Sequence, residues 1–213
     1  MTGRGKLNTV KAVVNTVKRL SEAAVDEAFR EFSASGSLSM RKIGQALDVS
    51  AASLYHHFES KQHLLDAVAD RGFTVFEKRL RSIEVGAGKP GEIQSRRAEA
   101  VIRHILIEYR RFASDHPHLF GLLFVTRREG ARRFPRDFAA HRSAVFNLLW
   151  NAVEGCVTRS ESEDTRDHAL HLAHDLWALT HGQILLWRAG RFEDEKTFQR
   201  VLDRSIERFL ATL

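Results

Sequence analysis

The stretch LDVSAASLYHHF at residues 47–58, with Ser60 and Lys61 behind it, is the most informative part of the sequence. Asp48 is a residue type that tolerates the left-handed backbone of a tight turn, and Ser50 is a strong helix N-cap. Two small alanines after the cap would let the backbone of the next helix approach a partner closely. The pattern therefore predicts a helix-turn-helix whose short second helix can enter the major groove of DNA.

The helix predicted over residues 50–58 has one face for the protein core and another for a partner. Leu54 and Phe58 are four residues apart and are expected to face inward. The other side carries small side chains and hydrogen-bonding groups suited to base edges: Ala51, Ala52, Ser53, Tyr55 and His56. Groups suited to the DNA backbone are predicted around it: Ser39, Ser50, His57 and Lys61.

Residues 20–68 resemble the DNA-binding domain of the tetracycline-repressor (TetR) family of bacterial regulators. The resemblance rests on Ala28, Phe32, Gly36, Ile43, Val49, Ser50, the run from Leu54 to Phe58, Ser60, Lys61, Leu64 and Leu65. Two positions depart from the family pattern. Gly44 stands where the family usually has Ala, which is expected to loosen the helix by about 1 kcal/mol, and Asp48 stands where it usually has Gly.

The resemblance implies an all-α protein with an N-terminal three-helix DNA-binding domain and a C-terminal helical domain for ligand binding and dimerisation. It also implies a homodimeric transcriptional regulator, acting as a repressor that an unknown small molecule releases from an inverted-repeat operator in double-stranded DNA. Arg41, on the helix before the turn, matches a family position that can reach a base edge or a phosphate.

The charge of the chain suits a polyanionic partner. The 213 residues carry a net charge of +6, and the pI is about 9.8. The basic extension at residues 1–19 has no acidic side chain and five basic ones: Arg4, Lys6, Lys11, Lys18 and Arg19. It either reaches the DNA backbone or minor groove, or forms a solvated, fraying helix.

The sequence indicates a cytoplasmic protein without a membrane partner. Cys156 is the only cysteine, so no internal disulfide can form. No apolar run is long enough to span a bilayer, and the N-terminal residues do not follow a signal-peptide pattern.

Helical periodicity continues to the end of the chain, and Pro90, Pro117 and Pro135 lie between the periodic segments. We expect a basic extension at 1–19, a helix-turn-helix domain at 20–66 and a C-terminal domain at 67–213. Among the predicted helices are those over residues 20–34, 136–158, 162–189 and 193–213. The arginines of a basic loop could bind an anion or be solvated: Arg127, Arg128, Arg132, Arg133 and Arg136.

The helix predicted over 162–189 is apolar on two sides, which suits one face to its own core and one to a second chain. With the last helix it fits the four-helix dimer interface of the resembled family. The predicted interface residues are Leu172, Leu176, Leu179, Leu186, Phe198, Val201, Leu202 and Phe209. The run LWALTHG at 176–182 resembles the Trp-His-Gly (WHG) pattern of one ligand-domain subgroup, and its Gly182 suggests a close helix approach.

A ligand pocket, if the chain has one, is expected in the C-terminal domain, since such pockets combine apolar walls with a few polar groups. The candidates for its lining are His104, Tyr109, Phe112, Phe120, Phe124, Phe146, Trp150, Trp177 and His181.

Other chemistries match the sequence less well. His168, His171 and His174 could suggest a metal site, but steps of three residues drift around a helix, so a solvated face is expected. No metalloprotease motif, phosphate loop or nucleophile elbow occurs. We therefore expect no catalytic residue, no metal and no cofactor. A helical protein-interaction module and a metal-dependent enzyme using residues 168–175 stay open as alternatives.

Overall fold

The computed structural model describes the backbone of residues 3–81, 92–157 and 163–213, and the side chains of residues 19–81, 96–157 and 164–213. The described residues are mostly helical, as predicted, and no β-strand occurs among them. The α-helices are α1 (Gly3–Ser35), α2 (Met40–Ala46), α3 (Ala51–Tyr55), α4 (Lys61–Arg81), α5 (Glu92–Asp115), α6 (Pro117–Phe120), α7 (Arg136–Ala139), α8 (Ala144–Val157), α9 (Glu163–Arg188) and α10 (Glu195–Leu210). A π-helix, Gly121–Val125, follows α6 directly.

The chain divides into two compact units that no single cut in the sequence would separate. The first unit combines Met1–Val75 with His116–Gly130, and the second combines Phe76–Asp115 with Ala131–Leu213. Helix α4 runs without a break past the predicted boundary at residue 66. The segment His116–Gly130 therefore packs with the helix-turn-helix, although it lies far beyond it in sequence.

Helix α1 is longer than the helix predicted over 20–34, because its helical backbone begins at Gly3 and takes in most of the basic extension. It ends where predicted, at Gly36, whose φ of +68° favours glycine. A Cβ atom at Gly36 would lie 2.5 Å from Nδ1 of His118 in α6, so the site also requires a small residue. The side chains of Arg4, Lys6, Lys11 and Lys18 lie outside the described residues.

Apolar side chains from four helices form the core of the first unit. Ala24 and Ala28 of α1, Ile43 of α2, Leu54 of α3 and Leu64 of α4 are each no more than 1% exposed. This core fixes the direction in which the opposite side of α3 faces solvent.

In the second unit, α5 packs against α8, α8 against α9, and α9 against α10. The large side chains Ile102 and Phe112 of α5 and Phe198 of α10 are at most 1% exposed, and so are Val153 of α8 and Ala173 of α9. None of the helices in the described ranges is long and apolar enough to cross a membrane.

The prediction of one helix over 136–158 is wrong, because α7 and α8 are separate helices. Between them His141 takes a φ of +54° and stacks on Trp150, with 4.5 Å between ring centroids. The carboxylate of Asp137, a residue only 5% exposed, accepts the backbone N–H of Arg133 at 2.8 Å and lies 3.3 Å from Nη1 of Arg142. A residue in the left-handed conformation cannot continue a right-handed helix, so the chain turns at His141, and the carboxylate of Asp137 contacts residues on both sides of α7.

Candidate nucleic-acid interface

Two serine caps build the helix-turn-helix as predicted. Ser39 caps α2, and its Oγ accepts the backbone N–H of Lys42 at 3.4 Å. Ser50 caps α3, and its Oγ accepts the backbone N–H of Ser53 at 3.0 Å. The N–H of Ser39 donates to the Glu31 carboxylate at 3.2 Å, which ties the start of α2 to α1.

The turn between α2 and α3 explains the two departures from the family pattern. Asp48 takes a φ of +54°, the left-handed conformation expected of it. The N–H of Val49 donates to the carbonyl oxygen of Gly44 at 2.9 Å. A Cβ atom at Gly44 would lie 2.7 Å from the carbonyl oxygen of Val49, so the turn passes closer to α2 than an alanine would allow.

Asp48→Gly is expected to stabilise the fold. A residue with a Cβ atom in the left-handed conformation is strained by about 1–2 kcal/mol, and glycine relieves that strain. The greater conformational entropy that glycine loses on folding offsets about 0.5–1 kcal/mol of the gain. Asp48→Ala is expected not to stabilise it, since alanine keeps the Cβ atom and its strain in the left-handed conformation. Urea unfolding measures both. Asp48→Asn separates charge from conformation, and a glycine variant no more stable than the alanine variant would refute the strain argument.

The predicted base-reading face of α3 points away from the core. Leu54 and Phe58 are 0% and 4% exposed and anchor the helix, whereas Tyr55 is 51% exposed. Ala52, His56 and, on α2, Arg41 are also exposed, and Ala51 and Ser53 are half-buried. The hydroxyls of Ser50 and Ser53 are hydrogen-bonded to each other at 2.9 Å, so Ser53 has only part of its bonding capacity left for a base.

The predicted phosphate contacts surround this face. Ser50 and Lys61 are exposed, and Ser39 and His57 are half-buried. Lys61 begins α4, where Ser60 accepts the N–H of His63 at 3.1 Å. The positive end of the α4 dipole adds to the attraction for a phosphate.

Lys42 is a further candidate that sequence reasoning missed. Its side chain is 73% exposed in the first turn of α2, beside Arg41, and its Nζ lies 3.9 Å from Glu31. A basic residue next to a predicted base contact is the signal that could have identified it.

The predicted pocket residues are divided between the two units. Phe120 and Phe124 belong to the first unit, with 5.2 Å between their ring centroids. The others belong to the second unit, where Phe112, Phe146, Trp150 and Tyr109 are at most 5% exposed. His104 is half-buried, and its Nε2 atom is buried without a hydrogen-bond partner among the described residues.

Three of these residues form a hydrogen-bonded cluster. The indole N–H of Trp177 donates to the hydroxyl oxygen of Tyr109 at 3.2 Å, and that oxygen lies 2.7 Å from Nδ1 of His181. An indole only donates, so the tyrosine oxygen is the acceptor for Trp177, and its O–H can donate to Nδ1 of His181 in the tautomer that carries the proton on Nε2. Burial raises the pKa of Tyr109, so this donor stays protonated at neutral pH.

We expect His181 to make the stability of the second unit depend on pH. Burial lowers the pKa of His181 below its usual value. As pH falls below about 6.5, the unfolded chain therefore binds a proton at this residue before the folded chain does, and the free energy of unfolding decreases. His181→Gln is expected to lose less stability than the native chain between about pH 7.5 and about pH 5.5, measured by urea unfolding. The matched control is His168→Gln, on an exposed side chain of the same helix; equal losses in all three proteins would contradict the assignment.

The predicted dimer residues differ in their exposure within one chain. Leu176, Phe198 and Leu202 are at most 2% exposed and are covered by their own chain. Leu186 and Val201 are 50% and 40% exposed, and Leu172, Leu179 and Phe209 are half-buried. A Cβ atom at Gly182 would meet nothing within 4 Å among the described residues, so the close approach expected there is not made by them.

Two of the three histidines that could suggest a metal site on α9 take part in aromatic contacts, and the third, His168, is exposed. His174 packs on Phe134 with 4.0 Å between ring centroids, and His171 meets the edge of the same ring at 5.3 Å. Within the described ranges, no three His, Cys, Asp or Glu side chains converge on a position that could hold a metal ion.

Two family models match the chain. The model for bacterial regulatory proteins of the tetR family matches residues 24–68. The model for the tetracyclin repressor-like C-terminal domain matches residues 102–213. Neither description specifies the Trp-His-Gly subgroup, which stays a prediction.

Solved structures share the fold at low sequence identity. A protein of unknown function from Rhodococcus sp. RHA1 is 23% identical with a TM-score of 0.65, and the match covers 91% of this chain and 95% of that one. A TetR-family transcriptional regulator from Streptomyces coelicolor is 20% identical with a TM-score of 0.54, over 92% of this chain and 98% of that one. No curated protein matches the chain.

Proposed function

The chain belongs to the TetR family of bacterial regulatory proteins, and we propose that it acts in the cytoplasm as a homodimeric, sequence-specific repressor released from DNA by a small molecule. The observation that carries this proposal is the outward face of α3. There Tyr55 and His56 are exposed above a core of Leu54 and Phe58, with Lys61 at the start of the next helix. Such a face has base-reading groups at its centre and a cation at its edge.

Two copies would read an inverted repeat. In a symmetric dimer the two α3 helices enter successive major grooves, with a spacing of about 34–36 Å. Arg41, Ala51, Ala52, Ser53, Tyr55 and His56 would meet base edges, and Ser39, Ser50, His57 and Lys61 would meet the backbone.

The outer faces of α9 and α10 support dimerisation. Leu186 and Val201 expose apolar surface, and Gly182 leaves open space beside α9 that a helix of a second chain could fill. In a symmetric dimer this surface would be buried against the same surface of the second chain, so that both apolar sides of α9 would be covered. We expect Leu186→Arg to weaken the dimer. We expect Leu176 to make no contact with the second chain, because its own chain already covers it.

The cluster of Tyr109, Trp177 and His181 supports ligand binding in the second unit. Its hydrogen-bonding groups lie beside the aromatic rings of Phe138 and Phe146, which contact Trp177, and small-molecule sites combine such apolar walls with a few polar groups. The dimer would exist in two forms, one whose α3 spacing fits the operator and one whose spacing does not. A ligand that binds the second form more tightly would increase its population and so release the protein from DNA.

Lys61→Ala tests the assignment of the DNA-binding face. Loss of one phosphate contact is expected to weaken binding to all sequences alike and to reduce the slope of log K against log salt by about 1. Lys78→Ala is the matched control, because Lys78 is an exposed lysine on the same helix, about 25 Å further along its axis. A Lys61→Ala protein with the native affinity and salt slope would contradict the assignment.

A further inference from the structure

Arg128 differs from the other arginines of its loop, and the interpretation of a solvated loop is wrong at this position. Its side chain is 6% exposed, whereas Arg127 next to it is exposed. A buried guanidinium without compensating partners is strongly unfavourable. The contacts of the Arg128 side chain must therefore offset the cost of its burial.

Among the described residues, the partners of Arg128 lie on one helix of the first unit. Its Nη1 lies 3.6 Å from Oδ1 of Asp66 in α4, and its guanidinium carbon lies 5.7 Å from the ring centroid of Phe73 on the same helix. These two partners are seven residues apart, so the single side chain spans two turns of α4, about 10 Å. Asp66 also accepts the side-chain N–H of Gln62 at 3.4 Å, one turn closer to the start of the helix.

The segment that carries Arg128 packs along the same helix. We call His116–Gly130 the strap, because both of its ends continue into the second unit while the segment itself belongs to the first. Phe124 of its π-helix meets the ring of Phe73 edge-on at 5.6 Å between centroids. A Cβ atom at Gly72 would lie 2.8 Å from Cδ1 of Leu123, so the strap and α4 are in close contact.

The pairing of Arg128 is incomplete. Its Nε–H is buried and meets no acceptor among the described residues. The guanidinium therefore depends on Asp66 and on the ring of Phe73, both on α4. A π-helix in the adjoining part of the strap is a further irregularity of a kind that often marks functional positions.

We propose that Arg128 is a positioning residue for DNA recognition. Through its contacts with Asp66 and Phe73 it fixes the orientation of α4 relative to the strap. Lys61 begins α4, and α3 directly precedes it, so the orientation of α4 sets the direction of both. In a dimer this orientation determines how the two α3 helices are spaced on the operator. The inference rests on the proposed function, since only a protein that reads paired half-sites has a spacing to fix.

The test measures operator spacing preference as well as affinity. The first probe is the DNA duplex that the native protein enriches from a random library. The other probes are variants of this duplex in which the two half-sites are one or two base pairs closer together or further apart. Arg128→Met is expected to reduce the preference for the native spacing about tenfold, within the range typical of coupling between sites. Arg127→Met removes the same charge from an exposed neighbour and is expected to keep the native preference.

Two further variants keep the inference testable if Arg128→Met folds poorly. Arg128→Lys retains a charge for Asp66 and is expected to restore most of the preference. Asp66→Asn leaves the buried guanidinium without its carboxylate and is expected to lower the preference at least as much as Arg128→Met, whereas Asp70→Asn, one turn further along, changes nothing.

The outcomes separate the inference from the proposed function. If the native protein enriches no paired half-sites, the proposed function fails and the inference fails with it. If it does, and Arg128→Met lowers affinity by the same factor at every spacing, Arg128 is only structural and the inference is overturned. Reduced spacing preference in a protein with native helicity and a native melting temperature supports it.

Discussion

His56→Ala is expected to change which base the protein prefers at one position of each half-site, by about 1–3 kcal/mol, or about 5- to 150-fold. His56 is the C-cap of α3, which ends at Tyr55 rather than at the predicted Phe58, and its side chain is exposed four residues after Ala52. Its removal takes away hydrogen-bonding capacity from one base pair and leaves the phosphate contacts in place. The measurement is competition binding with duplexes that carry each single-base change across the half-site.

The control for this prediction is Lys61→Ala, which is expected to lower affinity for all of these duplexes equally. Ser53→Ala is expected to affect a different base and by less, because its hydroxyl is already bonded to Ser50 at 2.9 Å. Uniform weakening by His56→Ala across all duplexes would contradict its role in base reading and assign it to the DNA backbone.

Tyr109→Phe is expected to destabilise the second unit by about 1–3 kcal/mol, although it removes only one oxygen atom. That oxygen accepts the indole N–H of Trp177 and lies 2.7 Å from Nδ1 of His181. Its loss removes one hydrogen-bonding contact from each of these two half-buried groups, and a polar group that loses a partner away from water costs more than the hydrogen bond contributed. Urea unfolding of the purified variant measures the change.

Trp177→Phe provides the matched comparison, because it removes the indole N–H and spares the contact between Tyr109 and His181. If the cluster is linked as described, the double variant is expected to lose less than the sum of the two single changes. A Tyr109→Phe protein as stable as the native chain would show that water or another group satisfies Trp177 and His181.

The local features of the helix-turn-helix could be predicted because they depend on residues close together in sequence. Ser39 and Ser50 cap their helices through hydrogen bonds that span only three residues. Asp48 takes the left-handed conformation expected of it. The reason for Gly44 could not be predicted, because it depends on how near Val49 comes to α2 after the turn forms.

The features that the sequence did not predict depend on contacts between distant residues. Arg128 looks like one more arginine in a basic loop, and only its packing against Asp66 and Phe73, more than fifty residues earlier, shows that it is buried. The break between α7 and α8 occurs where His141 takes a left-handed φ and its ring stacks on Trp150, which periodicity does not reveal. Likewise, an apolar stripe on α9 or α10 does not show which of its leucines the chain covers itself.

Selection from a random library of DNA duplexes, using the purified native protein at several salt concentrations, tests the central claim most directly. We expect an inverted repeat to be enriched, with half-site centres about 34–36 Å apart. We also expect an affinity at least about a thousandfold above that for unselected DNA, falling steeply with salt. Recovery of no common sequence, with equal binding to all duplexes or none, would contradict the claim and favour a helical module that binds protein instead.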